Sequence, residues 1–413
     1  MIIQRIKFVL SVGILALSVV SHSSAETKPV SIEIEKSVST VLISIDGLSN
    51  EQLRKYKPKN LTELAKTGLS TEALLPVYPT KTFPNHLSIV TGVYPSQHGI
   101  IHNKFYDVEK NQVYSMGAAG KDPSWMKAKP IWVLAEEQGV KAASYFWPES
   151  DAELFGVRPS YYFSYHHDTP NRDRTNQVIK WLELPESQKP KLITTYFSIV
   201  DSANHDFGST SAEAIEAITE VDTIIGEFLT TLAAKNIEIN LVIVSDHGML
   251  DIDETIKLDS VIAPEVVVKL DKLVEGQTQI FINHKDSAYL NTVYQTLKNN
   301  AQGRYAVYLK SEFPAHWQLG KAVSNNYVPD LIVNANPGVI FQTKHYETAA
   351  THGYDLKDTD SMEAIFIANG VSIKQARLEK FQNIHVFALL AELAGIKLEG
   401  QPASLEVFKD VLK

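Results

Sequence analysis

Thr40-Val41-Leu42-Ile43-Ser44-Ile45-Asp46-Gly47 is a nearly unbroken apolar, β-favouring run closed by an aspartate and a glycine. A run with no polar alternation predicts a strand covered on both faces. Two later stretches have the same form. Leu192 to Val200 leads into Asp201, and Ile239 to Ser245 ends at Asp246-His247-Gly248. Strand patterns also occur near Ser70 to Leu75 and over Lys141 to Trp147. Helical patterns lie between them: around Leu61 to Ala65, over Ile131 to Gln138 with Gly139 as its stop, and over Ser211 to Asn236. In the last of these, Ile215, Ile218, Val221, Ile225 and Leu229 share one face. Buried strands alternating with helices predict an α/β fold, with a mostly parallel central sheet flanked by helices. Residues 255–339 break the rhythm with shorter strand patterns (265–270, 278–283, 305–310) and one helix over 287–299. They predict a smaller α+β subdomain inserted in the sheet domain, within a catalytic unit of residues 26–413. The core resumes over Met362 to Ala368 and ends in a helix from Ile384 to Ala394, stopped by Gly395.

Sites in such sheets form outside the carboxyl ends of the strands. Asp46, Asp201 and Asp246 all fall at that end. Asp and His together suit zinc or a similar borderline cation. Asp201 and His205 are four residues apart, which on a helical turn puts both on one face. Asp246 and His247 are adjacent, so they either face one ion each or clasp one together. His352, in Thr351-His352-Gly353, would supply a distant third ligand. Thr82 sits in Pro79-Thr80-Lys81-Thr82-Phe83-Pro84-Asn85-His86, where an apolar segment turns into a helix. Each piece alone has a plainer reading: Thr82 as a helix cap, Ser245-Asp246-His247-Gly248 as a turn, Asp201 as a capping residue. Their coincidence at strand ends favours a site with two metals beside one hydroxyl.

Bulk properties narrow the setting. The 413 residues carry a formal charge of -9, which lacks the basic footprint that nucleic-acid polymers demand. The absence of cysteine excludes disulfides, thiolate ligands and cysteine nucleophiles. Arg5 and Lys7, the apolar run Phe8 to Val20, and Ser21-His22-Ser23-Ser24-Ala25 have the order of a secretory signal. The run is shorter than the ~20 residues of a spanning helix. Residues 1–25 are therefore expected to be removed after Ala25, leaving a secreted or periplasmic protein with no stable membrane span.

The chain resembles the nucleotide pyrophosphatase/phosphodiesterase family of the alkaline phosphatase superfamily. The resemblance is carried by Ile45-Asp46-Gly47, Pro79 to His86, Thr91-Gly92-Val93-Tyr94-Pro95-Ser96-Gln97-His98-Gly99-Ile100, Trp147-Pro148, Ser245-Asp246-His247-Gly248-Met249 and Thr351-His352-Gly353. It implies an alkaline phosphatase-like fold and two Zn2+ ions. Asp46, Asp246 and His247 would hold one beside the nucleophile Thr82, and Asp201, His205 and His352 the other. It also implies that Asn103 hydrogen-bonds a non-bridging phosphate oxygen, and that Phe83 and Tyr196 face a nucleotide base. Ile199-Val200 and Asn204 depart from the family's usual Glu-Pro and Gly around Asp201 and His205, which puts substrate preference at issue.

The implied activity is hydrolysis of phosphodiester or phosphoanhydride bonds of a small nucleotide substrate through a phosphothreonine intermediate, releasing a nucleoside monophosphate. Phosphomonoesters, phosphonates and glycerophospho- or lysophospholipid diesters are the alternatives on the same fold. Backbone N–H near Phe83, at the helix start, is expected to meet phosphoryl charge. His86, His98 and His102 are read as structural, and Ser202 as no nucleophile. Tyr161-Tyr162-Phe163-Ser164-Tyr165 is aromatic enough to wall a pocket or simply to pack.

Overall fold

The computed structural model describes residues 38–322, 326–342, 347–398, 400 and 402–413. The expected signal segment, 1–25, lies outside them.

An eight-stranded sheet forms the centre. Its spatial order is Ala376–Leu378, Leu69–Thr71, Phe366–Gly370, Ile239–Val244, Ser39–Ile45, Leu192–Phe197, Ala142–Tyr145 and Tyr161–Phe163. Only Phe366–Gly370 runs against its neighbours; every other adjacent pair is parallel. Pleating divides the side chains between two cores. Leu42, Leu192, Val242 and Val244 join a cluster beneath the helices Thr82–Thr91 and Val386–Ala394. Val41, Ile43, Ile45, Ile193, Leu241 and Ile243 join a second cluster against Ala212–Ala234. The Ser39–Ile45 strand is buried throughout, as its uninterrupted apolar run requires.

The helix Ala212–Ala234 begins at Ser211, whose hydroxyl accepts from the Ala214 N–H. Its buried face runs through Ala214, Ile218, Val221, Ile225, Phe228 and Leu232. Ile215, expected on that face, is 36% exposed, and Leu229 sits at its margin. The i, i+4, i+7 spacing holds, but its phase is set by Ala214 and Phe228.

Three expected strands differ. Leu192 to Val200 stops at Phe197, because Ser198 turns into the αR region and Ile199–Phe207 becomes helix. Ser70 to Leu75 divides into Leu69–Thr71, in the main sheet, and Leu74–Leu75, which pairs with Phe381–Gln382. Residues 265–270 form no strand. Pro264 starts the one-turn helix Pro264–Val267, and Val268 is left exposed.

Within residues 255–339, Lys272–Glu275, Gln279–Asn283, Leu331–Ala335 and Tyr305–Leu309 form an antiparallel four-stranded sheet in that spatial order. The helix Ser287–Asn300 joins it around a third core that includes Ile280, Ile282, Leu290 and Leu297. No helix among the described residues is long and apolar enough to cross a membrane.

Candidate active site

Three neighbouring strands deliver the aspartates. Asp46 follows Ile45 and donates its N–H to Phe197 O. Asp246 stands two residues beyond Val244, while Asp201 lies in the first turn of the helix that follows Phe197. Gly47 makes their approach feasible. Its φ of +69° suits glycine, and a Cβ there would stand 2.9 Å from Asp201 Cα.

Two groups of ligand atoms result. Asp46, Asp246 and His247 form one, fully buried; Asp201, His205 and His352 form the other. Within each, the donor atoms lie inside 4.8 Å of one another. The carboxylates of the first group each tie down one oxygen and present the other. Asp46 Oδ2 accepts from the Tyr196 hydroxyl at 2.5 Å, and Asp246 Oδ1 accepts from the Gly47 N–H at 3.2 Å. Asp46 Oδ1, Asp246 Oδ2 and Asp201 Oδ1 are buried without hydrogen-bond partners. His247 Nε2 lies 2.9 Å from Asp246 Oδ2 and 3.5 Å from Asp46 Oδ1; His205 Nε2 lies 3.5 Å from Asp201 Oδ1.

The histidines are fixed from behind. Nδ1 of His247 bonds Gly248 O at 2.9 Å, Nδ1 of His205 bonds Ala350 O at 2.8 Å, and Nδ1 of His352 bonds Thr80 O at 2.8 Å. Only a protonated Nδ1 can donate to a carbonyl, so in the neutral form each ring carries its lone pair on Nε2, facing the interior. This is the outer-shell arrangement of metal-ligating histidines. The His247 and His352 rings stack at 3.6 Å, which places the two groups side by side.

Electrostatics also call for cations. Burial, then Asp246 and Asp201, hold the Asp46 carboxyl well above the ordinary range. Burial acts on Asp246 in the same direction, but His247 and His86 outweigh it and keep that group ionised. Burial and the neighbours His247, Lys81 and His205 keep His352 neutral. Burial works against the charged form of His247, but Asp246 outweighs it and raises that imidazole. Orphaned carboxylate oxygens facing imidazole nitrogens fit divalent cations bound by nitrogen and oxygen.

Thr82 opens the helix Thr82–Thr91, 9% exposed, with Oγ1 3.4 Å from His247 Nε2. Asn103 lines the same cavity, and its Oδ1 accepts from the Phe83 N–H at 2.9 Å. The expected role of that N–H towards phosphoryl oxygen is therefore replaced: it is spent on Asn103, whose Nδ2 donors are left for a ligand. Tyr196 also lines the cavity, but it is 8% exposed and its hydroxyl is committed to Asp46. The open aromatic faces belong to Phe83, Phe163 and Tyr165. Of Tyr161 to Tyr165, only Phe163, Ser164 and Tyr165 wall the cavity, while Tyr161 packs against Trp181.

Lys81 was not singled out from the sequence. It is buried, donates to His352 O at 2.5 Å, and is pushed by burial down to about 7. His86 packs beneath Thr82, with Nδ1 2.9 Å from Thr82 O and Nε2 2.7 Å from Ser44 Oγ. His98 reaches Ser88 and Pro84 O, and His102 contacts Lys104, away from the ligand groups. Asn204 faces away from the cavity. It is fully buried and links Gln52 Nε2 (2.9 Å) to Gly47 O (3.2 Å). The inserted sheet reaches the site through Thr278, whose hydroxyl donates to His352 O, and Gln279, whose amide donates to Gly353 O.

Comparison with known proteins identifies the family. The family model for type I phosphodiesterase/nucleotide pyrophosphatase matches residues 40–355. The chain belongs to that family. It is 33% identical over 397 residues to an uncharacterized pyrophosphatase/phosphodiesterase of Schizosaccharomyces pombe, covering 88% of this chain and 78% of the relative. It is 33% identical to human ectonucleotide pyrophosphatase/phosphodiesterase family member 1, covering 86% of this chain but only 40% of that protein. The solved structure of murine ectonucleotide pyrophosphatase/phosphodiesterase 5 superposes with a TM-score of 0.83 at 26% identity, covering 91% of this chain and 100% of the other. An inactive variant of the murine protein, with alanine replacing a threonine, was solved with AMP and aligns equally well. This α/β fold with its large central sheet is therefore that of the ectonucleotide enzymes.

Proposed function

We propose that the chain is an exported, zinc-dependent phosphodiesterase and nucleotide pyrophosphatase that uses Thr82 as its nucleophile and releases a nucleoside monophosphate. One observation carries the reading: Thr82 Oγ1 opens onto two adjoining Asp/His groups whose imidazoles are locked with Nε2 inward. Asp46, Asp246 and His247 would hold one Zn2+, and Asp201, His205 and His352 the other. Bound cations would supply Lewis acidity and make a hydroxyl or water nucleophilic near neutral pH.

The protein's own groups do the rest. Thr82 Oγ1 attacks phosphorus in line, and the bond to the leaving oxygen breaks with its electron pair departing on that oxygen. Asn103 Nδ2 donates to a non-bridging oxygen and steadies the charge that grows there. Water then cleaves the Thr82–phosphate ester and restores the hydroxyl. Phe83 and Tyr165 offer ring faces to a base, while Tyr196 holds Asp46 in place. The AMP complex of the murine relative supports a nucleotide as substrate.

A diester phosphate carries one negative charge and a monoester two. Among the described residues no Lys or Arg lines the cavity, so the second charge finds no partner. The test compares bis-p-nitrophenyl phosphate with p-nitrophenyl phosphate in the presence of zinc. Preference for the diester, abolished by thorough chelation, is the expected result; preference for the monoester rejects the assignment.

A further inference from the structure

A second cavity, of about 720 Å³, lies at one edge of the central sheet and shares no lining residue with the one before Thr82. The helices Asn50–Tyr56 and Lys59–Thr67 wall it together with the strands Leu69–Thr71, Phe366–Gly370 and Ala376–Leu378. Strand register sets its lining. Ile367 pairs with Ser70 and Ser70 with Arg377, so these side chains form one row on one face of the sheet. Along the row Ile367 is buried, Ser70 half-buried and Arg377, on the outermost strand, exposed. Leu53 and Ala65 pack beside Ile367 in the second core. An apolar floor thus carries a cationic rim of Arg54, Lys57, Lys66 and Arg377. The chain has a formal charge of -9, yet no Asp or Glu among the described residues lines this cavity. Elsewhere its arginines are committed. Arg158, Arg172 and Arg304 pair with Glu153, Glu227 and Glu254, and Arg174 donates to Tyr196 O and Thr169 O. Among the described residues, only the guanidiniums of Arg54 and Arg377 have neither an ion pair nor a hydrogen bond, and both line this cavity.

Like charges gathered from three elements raise one another's energy, and a bound oxyanion removes that cost. Guanidinium forks match phosphoryl oxygens two at a time, which an ammonium cannot do. We propose that this cavity is a second binding site, for a phosphate monoester or phosphonate carried on an apolar body. Arg54 and Arg377 take the phosphoryl oxygens, Lys57 and Lys66 supply further positive charge, and the floor of Leu53, Ala65 and Ile367 covers the body. Such a dianion answers four cations better than the single charge of a carboxylate. Free organic phosphates and lipid headgroups share this chemistry. The site stands apart from the diesterase reading and from its metals.

The experiment titrates the full chain calorimetrically with phenylphosphonate, which has no ester bond to hydrolyse. The wild type is expected to take up one molecule more than the double variant Arg54→Gln, Arg377→Gln, whatever the catalytic cavity binds. Each single substitution should weaken that extra site by roughly tenfold, and high salt should weaken it in the wild type. Both arginines are exposed and hold no other group, so the double variant is expected to keep its melting temperature and its rate on bis-p-nitrophenyl phosphate. Inorganic phosphate, with no body for the floor, should bind more weakly than phenylphosphonate; equal affinity overturns the apolar half of the site. Dihexanoyl phosphatidate binding more tightly than phenylphosphonate assigns the occupant to a lipid headgroup, and the reverse order to a free organic phosphate. Equal stoichiometry and affinity in wild type and double variant overturn the site and leave the diesterase reading untouched.

Discussion

Thr82, Asp46 and Glu149 show how differently three buried oxygens can be used. Thr82 is nearly covered, yet its hydroxyl points at His247 and the cavity. Replacing it with alanine removes the proposed attacking atom and leaves both Asp/His groups intact. Thr82→Ala is expected to lose turnover by at least about a thousandfold. Its metal content, read by elemental analysis, should match the wild type. Glu149 makes a pH prediction. Burial raises its carboxyl from an ordinary 4.5 to about 6, against the lowering pull of Tyr114. Below pH 4.5 the group is protonated in folded and unfolded chains alike and costs nothing. Between 4.5 and 6 the unfolded chain ionises first, so stability falls as pH rises. Above 6 the full penalty, on the order of 2 kcal/mol, remains. Glu149→Gln should thus stabilise the fold at pH 8 but hardly at pH 4.5, as denaturant titrations at the two values would show.

At the scale of elements, the strands around the site were legible because both their faces are buried. An apolar run such as Thr40 to Ile45 has few other ways to satisfy itself. The Leu192 to Val200 run was overread for the same reason: Ile199 and Val200 are apolar, but Ser198 turns the chain and they begin a helix. That helix is what carries Asp201 and His205 on one face. That these acids and imidazoles would gather could be read because they recur where apolar runs end; the structure brings them into two groups. What their outer contacts are could not, since the carbonyls of Gly248, Ala350 and Thr80 leave no trace in side-chain identity. Asn204 makes the same point. From sequence it is a departure that puts substrate preference at issue, whereas it clamps the Gly47 turn to Gln52 from behind. Asn204→Ala removes the partner of the Gly47 carbonyl and one of the two acceptors of the Gln52 amide, which keeps Ser209 O, and should cost about 1–3 kcal/mol. Thermal unfolding would register this, with substrate preference unchanged.

For the molecule as a whole, binding and folding are linked through the buried acids. Any cation held by the native site but not by the unfolded chain raises stability by about 2.7 kcal/mol at a hundredfold excess over its dissociation constant. Exhaustive chelation should therefore abolish hydrolysis and lower the melting temperature together, with zinc restoring both. Asp246→Asn should retain one ion per chain, counted by elemental analysis, where the wild type retains two.

The inserted sheet reaches into this linkage through Thr278 and Gln279, which grip the backbone on either side of the His352–Gly353 peptide. It thereby acts as a buttress for one of the two Asp/His groups, the one that contains His352. Because Phe281 and Ile332 also pack into the core beneath Thr82–Thr91, excising it should cost global stability together with the placement of His352.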